Sequence, residues 1–305
     1  MIWYSAKQEV RGEIMNTDVL VEILYTEGEA ILATKSLAEV FALFRDFAKR
    51  YSRFVSANEL WQFNTQESGS LSPELFDILE TAASYHRETA GLFDPSILAS
   101  LETAGYVGAY QTSSDEAKGN FSALILNPAD HSFTKPKNLT IDLGGIGKGY
   151  IIDKVARFLQ KRFANFLVDA GGDIFVQGVN EKEGYPYWAI DIEHPLTHAR
   201  AATLLLRNMA VTTSGRNRRR WLKGDKEQHH LINPFTNESA SFELLSVTAL
   251  AENTVRADVL AKTLFIAGKE RGPVLAEKLS VPALFFDHTG HPTHNQAFTP
   301  YIWQP

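Results

Sequence analysis

Asp142-Leu143-Gly144-Gly145-Ile146-Gly147-Lys148-Gly149-Tyr150 lies between an apolar, strand-like run at 139–143 and an amphipathic, helix-like run at 151–163. A strand, a glycine turn and a helix start bring free backbone N–H groups and the positive end of a helix dipole to one point. That is an anion cradle, suited to phosphate. Glycine lets the backbone approach a ligand closely, and Lys148 adds a point charge. The stretch predicts a phosphorylated ligand. The plain alternative is a tight turn packing helix on strand, with Lys148 in solvent.

Neither common phosphate loop is present. A Walker A loop needs Ser or Thr after its lysine, and here Gly149 follows Lys148. The dinucleotide fingerprint needs a third glycine where Tyr150 stands. A nicotinamide-dependent dehydrogenase is disfavoured for that reason.

Residues 18–25 read as a strand, and Leu37, Val40, Phe41, Phe44 and Phe47 recur at helical spacing over 34–50. Ser72-Pro73-Glu74 reads as a helix start, with Ser72 as cap and Pro73 at the first helical position. The polar stretch 102–136 reads as connecting loops and short strands. Strands are expected at 165–169, 174–178, 187–192, 201–206 and 246–250, then a helix over 254–267 ended by Gly268. A hairpin closes the chain from residue 283, and His288, His291 and His294 read as surface histidines on it. Helices and strands mix without strict alternation, which predicts an α+β (mixed α/β) fold in one domain over residues 10–300.

The bulk numbers narrow the function. A net charge of −6 argues against nonspecific nucleic-acid or anionic-membrane binding. The run Arg216, Arg218, Arg219, Arg220 reads as a solvated loop or a landing patch for an acidic partner. With no cysteine there is no disulfide, thiolate metal site or cysteine nucleophile. No run is apolar enough to insert in a membrane and no export signal is visible, so a cytoplasmic protein is expected, or a periplasmic one if the chain has been trimmed.

Eight segments in order carry a family resemblance. They are Ile14-Met15-Asn16-Thr17; Ser52-Arg53-Phe54 with Asn58-Glu59-Leu60 and Asn64; Gly91-Leu92-Phe93-Asp94-Pro95; and Asp142 to Tyr150 with Asp153. Asp169-Ala170-Gly171-Gly172-Asp173, Thr213-Ser214-Gly215, His230-Leu231-Ile232-Asn233-Pro234 and Ala257-Asp258-Val259-Leu260-Ala261 complete the set. On these, the chain resembles the FAD:protein FMN transferases, the ApbE-like flavin transferases.

The resemblance implies a compact fold with the flavin dinucleotide site between two sub-domains. It implies an enzyme that cleaves FAD with Mg²⁺, attaches FMN by a phosphoester to a Thr or Ser of an acceptor protein, and releases AMP. By position, Met15, Phe54, Leu92, Phe93 and Asp94 would border the FAD, and Asp142, Lys148 and Ile232 would contact it. The Gly145 carbonyl and the Asp258 carboxylate fall where such proteins hold the metal, and Lys262 occupies a third metal position. Asp258 and His230 are the candidate catalytic groups, the alternative for His230 being a local structural role near Asn233. This chemistry suits phosphoryl transfer, which depends on positioning and on neutralising charge at the leaving oxygen.

Three positions depart from the family pattern. Asn16 stands for a usual glycine, and asparagine tolerates left-handed backbone. Asn233 replaces an aspartate. Lys262 replaces an oxygen ligand such as threonine, and it shares a helix face with Asp258, four residues earlier. A protonated lysine has three donors and no acceptor, so it cannot coordinate a cation. Thr263 is turned about 100° away on a helix. Either Lys262 swings aside and water replaces the ligand, or its ammonium takes the metal's place. An active transferase is the leading expectation. The alternative is a protein that keeps the FAD pocket but has lost metal-dependent transfer through Lys262.

Overall fold

Val19, Val21 and Ile23 are fully buried in one core, while Leu24 packs into another. Alternating side chains point to opposite faces of a strand, so this one sits in a sheet covered on both sides. The computed structural model describes residues 3–106, 108, 120–217 and 219–304. Among these, one sheet contains β1 (Tyr4–Ile14), β2 (Thr17–Tyr25), β3 (Asn165–Ala170), β4 (Asp173–Gln177), β5 (Met209–Gly215), β6 (Leu244–Ala251), β7 (Ala283–Asp287) and β8 (Pro292–His294). The spatial order is the chain order, and every neighbouring pair is antiparallel.

The meander is interrupted by helices. Between β2 and β3 come α1 (Ala30–Tyr51), α2 (Glu59–Thr65), α3 (Pro73–Glu88), α4 (Leu98–Thr103) and α5 (Gly147–Gln160), and α6 (Thr254–Lys278) joins β6 to β7. Phe41, Phe44 and Phe47 of α1 join Ile151, Ile152 and Val155 of α5 against β2 and β3. The hairpin Trp188–Glu193 with Arg200–Leu206 covers the opposite face through Trp188, Ile190 and Leu204. β6 is buried at all eight positions, with Val247 and Ala249 against α6 and Leu250 on the hairpin side. The result is the α+β fold the sequence predicts. Among the described residues, no helix is long and apolar enough to cross a membrane.

Ser72 caps α3 as expected, its hydroxyl accepting from the Leu75 N–H at 3.2 Å. Gly268 adopts φ +85°, which breaks α6 where the sequence predicts its end, and a second helical segment then runs on to Lys278. The segment 139–143 departs from the expected strand: it buries Leu139, Thr140, Ile141 and Leu143 but joins no sheet. The Asn64 side chain supplies the missing ladder, accepting from the Ile141 N–H at 2.8 Å and donating to its carbonyl at 3.0 Å. The expected helix at 151–163 begins instead at Gly147, after a turn in which the Gly147 N–H reaches the Leu143 carbonyl at 2.6 Å.

Candidate active site

A cleft of about 480 Å³ opens where α1 ends, beside the N-terminus of α5 and the face of α6. That volume falls within the range of small-molecule and cofactor sites. The expected flavin-border residues Met15, Phe54, Leu92, Phe93 and Asp94 line it. So do Asp142, Gly145 and Lys148 from the glycine turn, His230 and Ile232 from the far wall, and Lys262 from α6. Asp258 lies beneath Lys262 and is buried. The segments quoted from five separate parts of the sequence therefore converge on one cavity.

Local backbone explains several of these placements. Met15 and Asn16 both adopt φ +54°, so asparagine serves at position 16 where left-handed backbone is required. None of the four glycines in the turn has positive φ. They serve close approach instead: a β carbon on Gly145 would lie 3.0 Å from the Phe93 ring and 3.6 Å from Lys262 Cδ. The Phe93 ring and the Lys262 stem thus leave no free room for a side chain at Gly145.

Two ion pairs form the cleft floor. The Lys148 ammonium donates to Asp173 Oδ2, and the Lys262 ammonium donates to Asp258 Oδ1. Burial opposes the charge of Lys148, but Asp173 and Asp258 outweigh it and hold the ammonium above the usual lysine value. Burial pushes the Asp258 carboxyl up; Lys262 pulls it down and Asp173 pushes it up again, leaving it above the ordinary carboxylate range. The second oxygen of Asp258, Oδ2, is buried without a hydrogen-bond partner.

The other wall is aromatic and cationic. Arg53 pairs its Nε with Asp142 Oδ2 at 2.9 Å and donates from Nη2 to the Tyr106 carbonyl at 2.7 Å. Its guanidinium lies 4.7 Å from the Phe54 ring centre and 4.4 Å from that of Tyr106, and Tyr106 stacks on Trp221 at 5.3 Å. Asp142 Oδ1 accepts from the Gly144 N–H, so both oxygens of Asp142 hold the turn in place. Asp94 Oδ1 likewise accepts from the Ser96 N–H at 2.7 Å and from its hydroxyl at 2.6 Å. These two acids position backbone as well as border the cavity.

His230 is held neutral. Burial first, then the charges of Arg219 and Lys262, push its imidazole down to about 3. With its pKa this low the ring is not an imidazolium that could serve as a general acid at neutral pH, and it is a weak base. The replacement at Asn233 is structurally neutral, because its Oδ1 accepts from the Phe235 N–H at 2.9 Å, a turn that asparagine and aspartate both make.

Arg53 and Asp173 stand in the quoted segments without an assigned role, and Tyr106 and Trp221 stand outside them; the partners of all four are distant in the chain, and no spacing rule joins them. The arginine run divides rather than forming one solvated loop. Arg219 lines the cleft, Arg216 donates to the Leu244 carbonyl at 3.0 Å, Arg220 approaches Glu227 at 3.6 Å, and Arg218 lies outside the described residues. Among the described residues, no group of three or more His, Asp or Glu side chains is placed to hold a metal ion, and His288, His291 and His294 form no such cluster.

With this geometry in view, comparison with known proteins is specific. A family model described as "ApbE family" matches residues 15–285. The FAD:protein FMN transferase of Haemophilus influenzae is 29% identical over 289 residues, spanning 88% of this chain and 82% of that protein. Its counterpart in Vibrio cholerae is 27% identical over 282 residues, spanning 88% and 84%. The crystal structure of an ApbE protein from Thermotoga maritima superposes with a TM-score of 0.87 at 21% identity, covering 98% of this chain and 100% of that one. That likeness establishes the fold.

Proposed function

The chain belongs to the ApbE family, and from that premise we propose that it transfers FMN from FAD to a protein, joining it to a Thr or Ser hydroxyl and releasing AMP. Residues 10–300 are taken as the unit that carries this activity. The observation that carries the reading is the two-sided cleft: stacked aromatic groups on one wall, and paired charges beside the glycine turn on the floor. A flavin dinucleotide has a flat ring system at one end and a pyrophosphate in the middle, and each half finds its complement here.

The reaction balances simply. The acceptor hydroxyl oxygen forms a bond to the flavin-side phosphorus, and the bond from that phosphorus to the bridging oxygen breaks. AMP leaves with the bridging oxygen and its electron pair. The hydroxyl proton needs an acceptor, and Asp258 Oδ2 suits the task, being buried, unpartnered and raised in basicity by its surroundings. Lys148, which lines the cleft at the start of α5, would face the charge that gathers on the phosphates. Phe54 and the Arg53–Tyr106 stack would orient the ring system. His230 would serve as a neutral wall and hydrogen-bonding group.

Magnesium is what the family resemblance implies, and a hard divalent cation takes oxygen donors. The residues present do not fit it well. Asp258 and the Gly145 carbonyl are suitable oxygens, but Lys262 already bonds Asp258 Oδ1 and offers only N–H donors. The same pair favours a second reading, a protein that binds FAD without transferring it.

One mixture separates the two. Purified protein, FAD and an acceptor protein bearing an exposed Thr are incubated, then resolved by chromatography for AMP and by in-gel fluorescence for bound flavin. AMP and fluorescent acceptor in equal amounts establish transfer. Intact FAD held without AMP establishes the binder, and absence of FAD binding overturns both.

A further inference from the structure

Four charged side chains meet at the cleft floor: Lys148 with Asp173 and Lys262 with Asp258. We infer that the Lys262 ammonium is the resident cation of this site, so that the chain binds a flavin dinucleotide without a divalent metal. The inference rests on the proposed flavin site and deepens it.

Burial argues first. The Lys262 side chain is 14% exposed and the Asp258 side chain 2%, and Lys262 lines the cleft. A solvated pair four residues apart on a helix would leave both heads in water. This pair instead presents an ammonium to the cavity from a buried carboxylate.

Charge counting argues second. Two carboxylates and two ammonium groups make the floor neutral before a ligand arrives. A pyrophosphate brings negative charge, and both ammonium groups can donate to it while remaining paired. A divalent ion placed against Asp258 would sit beside Lys262 as well, and like charges at contact distance repel strongly in a site screened from water.

The third argument is the lack of a substitute ligand. Thr263 is fully buried, and its hydroxyl donates to the Val259 carbonyl at 2.8 Å, pointing into its own helix. The Lys262 stem also packs over the glycine turn, its Cδ 3.6 Å from where a β carbon on Gly145 would stand. Asp258 Oδ2 stays unpartnered in this arrangement, so the carboxylate keeps one oxygen for an incoming hydroxyl.

The test is FAD binding by the full chain, followed by quenching of flavin fluorescence, first in EDTA and then in millimolar magnesium. Manganese without flavin, followed by electron paramagnetic resonance, probes the metal alone. The expected result is an FAD Kd that changes by less than about twofold between the two conditions, with no manganese bound. In Lys262→Thr, magnesium should tighten FAD by at least about tenfold and manganese should bind, whereas Lys262→Arg should remain indifferent to metal. A wild-type Kd that tightens tenfold with magnesium overturns the inference and leaves the flavin reading intact. A folded Lys262→Thr variant with no metal response also overturns it. Absence of FAD binding under either condition overturns the flavin reading itself. If Lys262→Thr does not fold, the wild-type titrations alone decide.

Discussion

A β carbon on Gly149 would sit 2.7 Å from the Cα of Val255, so α5 and α6 meet backbone to backbone. The contact fixes the start of α6, one turn before Asp258 and two before Lys262. One turn along α5, the Asp153 carboxylate accepts the N–H groups of Thr254 at 2.7 Å and Val255 at 2.9 Å. The glycine turn and the Asp258 face of α6 are therefore a single rigid construction.

Gly149→Ala sets two effects against each other. Alanine in a helix interior gains about 1 kcal/mol over glycine, whereas overpacking a well-filled contact costs about 1–3 kcal/mol. Here the obstructing atoms are backbone and cannot turn aside, so the cost wins. Scanning calorimetry should give a lower Tm than wild type, with weaker FAD binding as Asp258 is displaced. A raised Tm would show that the helices are not in contact at this point.

Asp153→Ala removes both acceptors and leaves two buried N–H groups unpaired. Asn253 still caps α6 through the Arg256 N–H at 2.8 Å, so the helix survives but loses its anchor. The expected loss is about 2–4 kcal/mol in urea unfolding, and Asp153→Asn, which keeps one acceptor, should lose less. Equal losses in the two variants would argue that the side chain is only filling space.

Much of this fold is legible in the sequence, and the exceptions share a cause. β2 and α1 declare themselves because their buried positions follow the period of the element, as Val19, Val21 and Ile23 or Leu37, Val40, Phe41 and Phe44 do. β1 does not, because as an edge strand it carries Lys7, Glu9 and Arg11 among its apolar residues. The run at 139–143 is buried as a strand would be, yet its ladder partner is the Asn64 side chain, 77 residues away. The glycine turn is legible as a site, but Gly149 answers to Val255 rather than to a ligand. Periodicity is local information, and the pairs Lys148–Asp173 and Arg53–Asp142 are not local.

Phe54 offers a clean separation of binding from stability. The residue is 43% exposed, lines the cleft, and stacks its ring on the Arg53 guanidinium. Phe54→Ala should weaken FAD binding by about tenfold, equivalent to about 1.4 kcal/mol, while Tm stays within about a degree of wild type. Unchanged affinity by fluorescence titration would remove this wall from the flavin site.

His229 gives the fold a pH dependence with a defined sign. It is fully buried; Nε2 faces the Ala240 carbonyl at 3.0 Å and Nδ1 faces the Leu231 N–H at 3.3 Å. Those contacts require a neutral ring with its proton on Nε2, and burial pushes its pKa down to about 4. The unfolded chain takes up a proton below about 6.5 while the folded chain declines one until about 4, so stability falls as pH drops through that window and is unaffected by this group above it. The full effect at the acid end is roughly 3 kcal/mol. His230, pushed down to about 3, acts in the same direction. His229→Gln keeps a donor for the Ala240 carbonyl but cannot titrate, so its urea-unfolding free energy should decline less steeply than wild type between pH 7 and 5. Parallel slopes for the two proteins would mean that the folded His229 ring takes up its proton over the same pH range as in the unfolded chain.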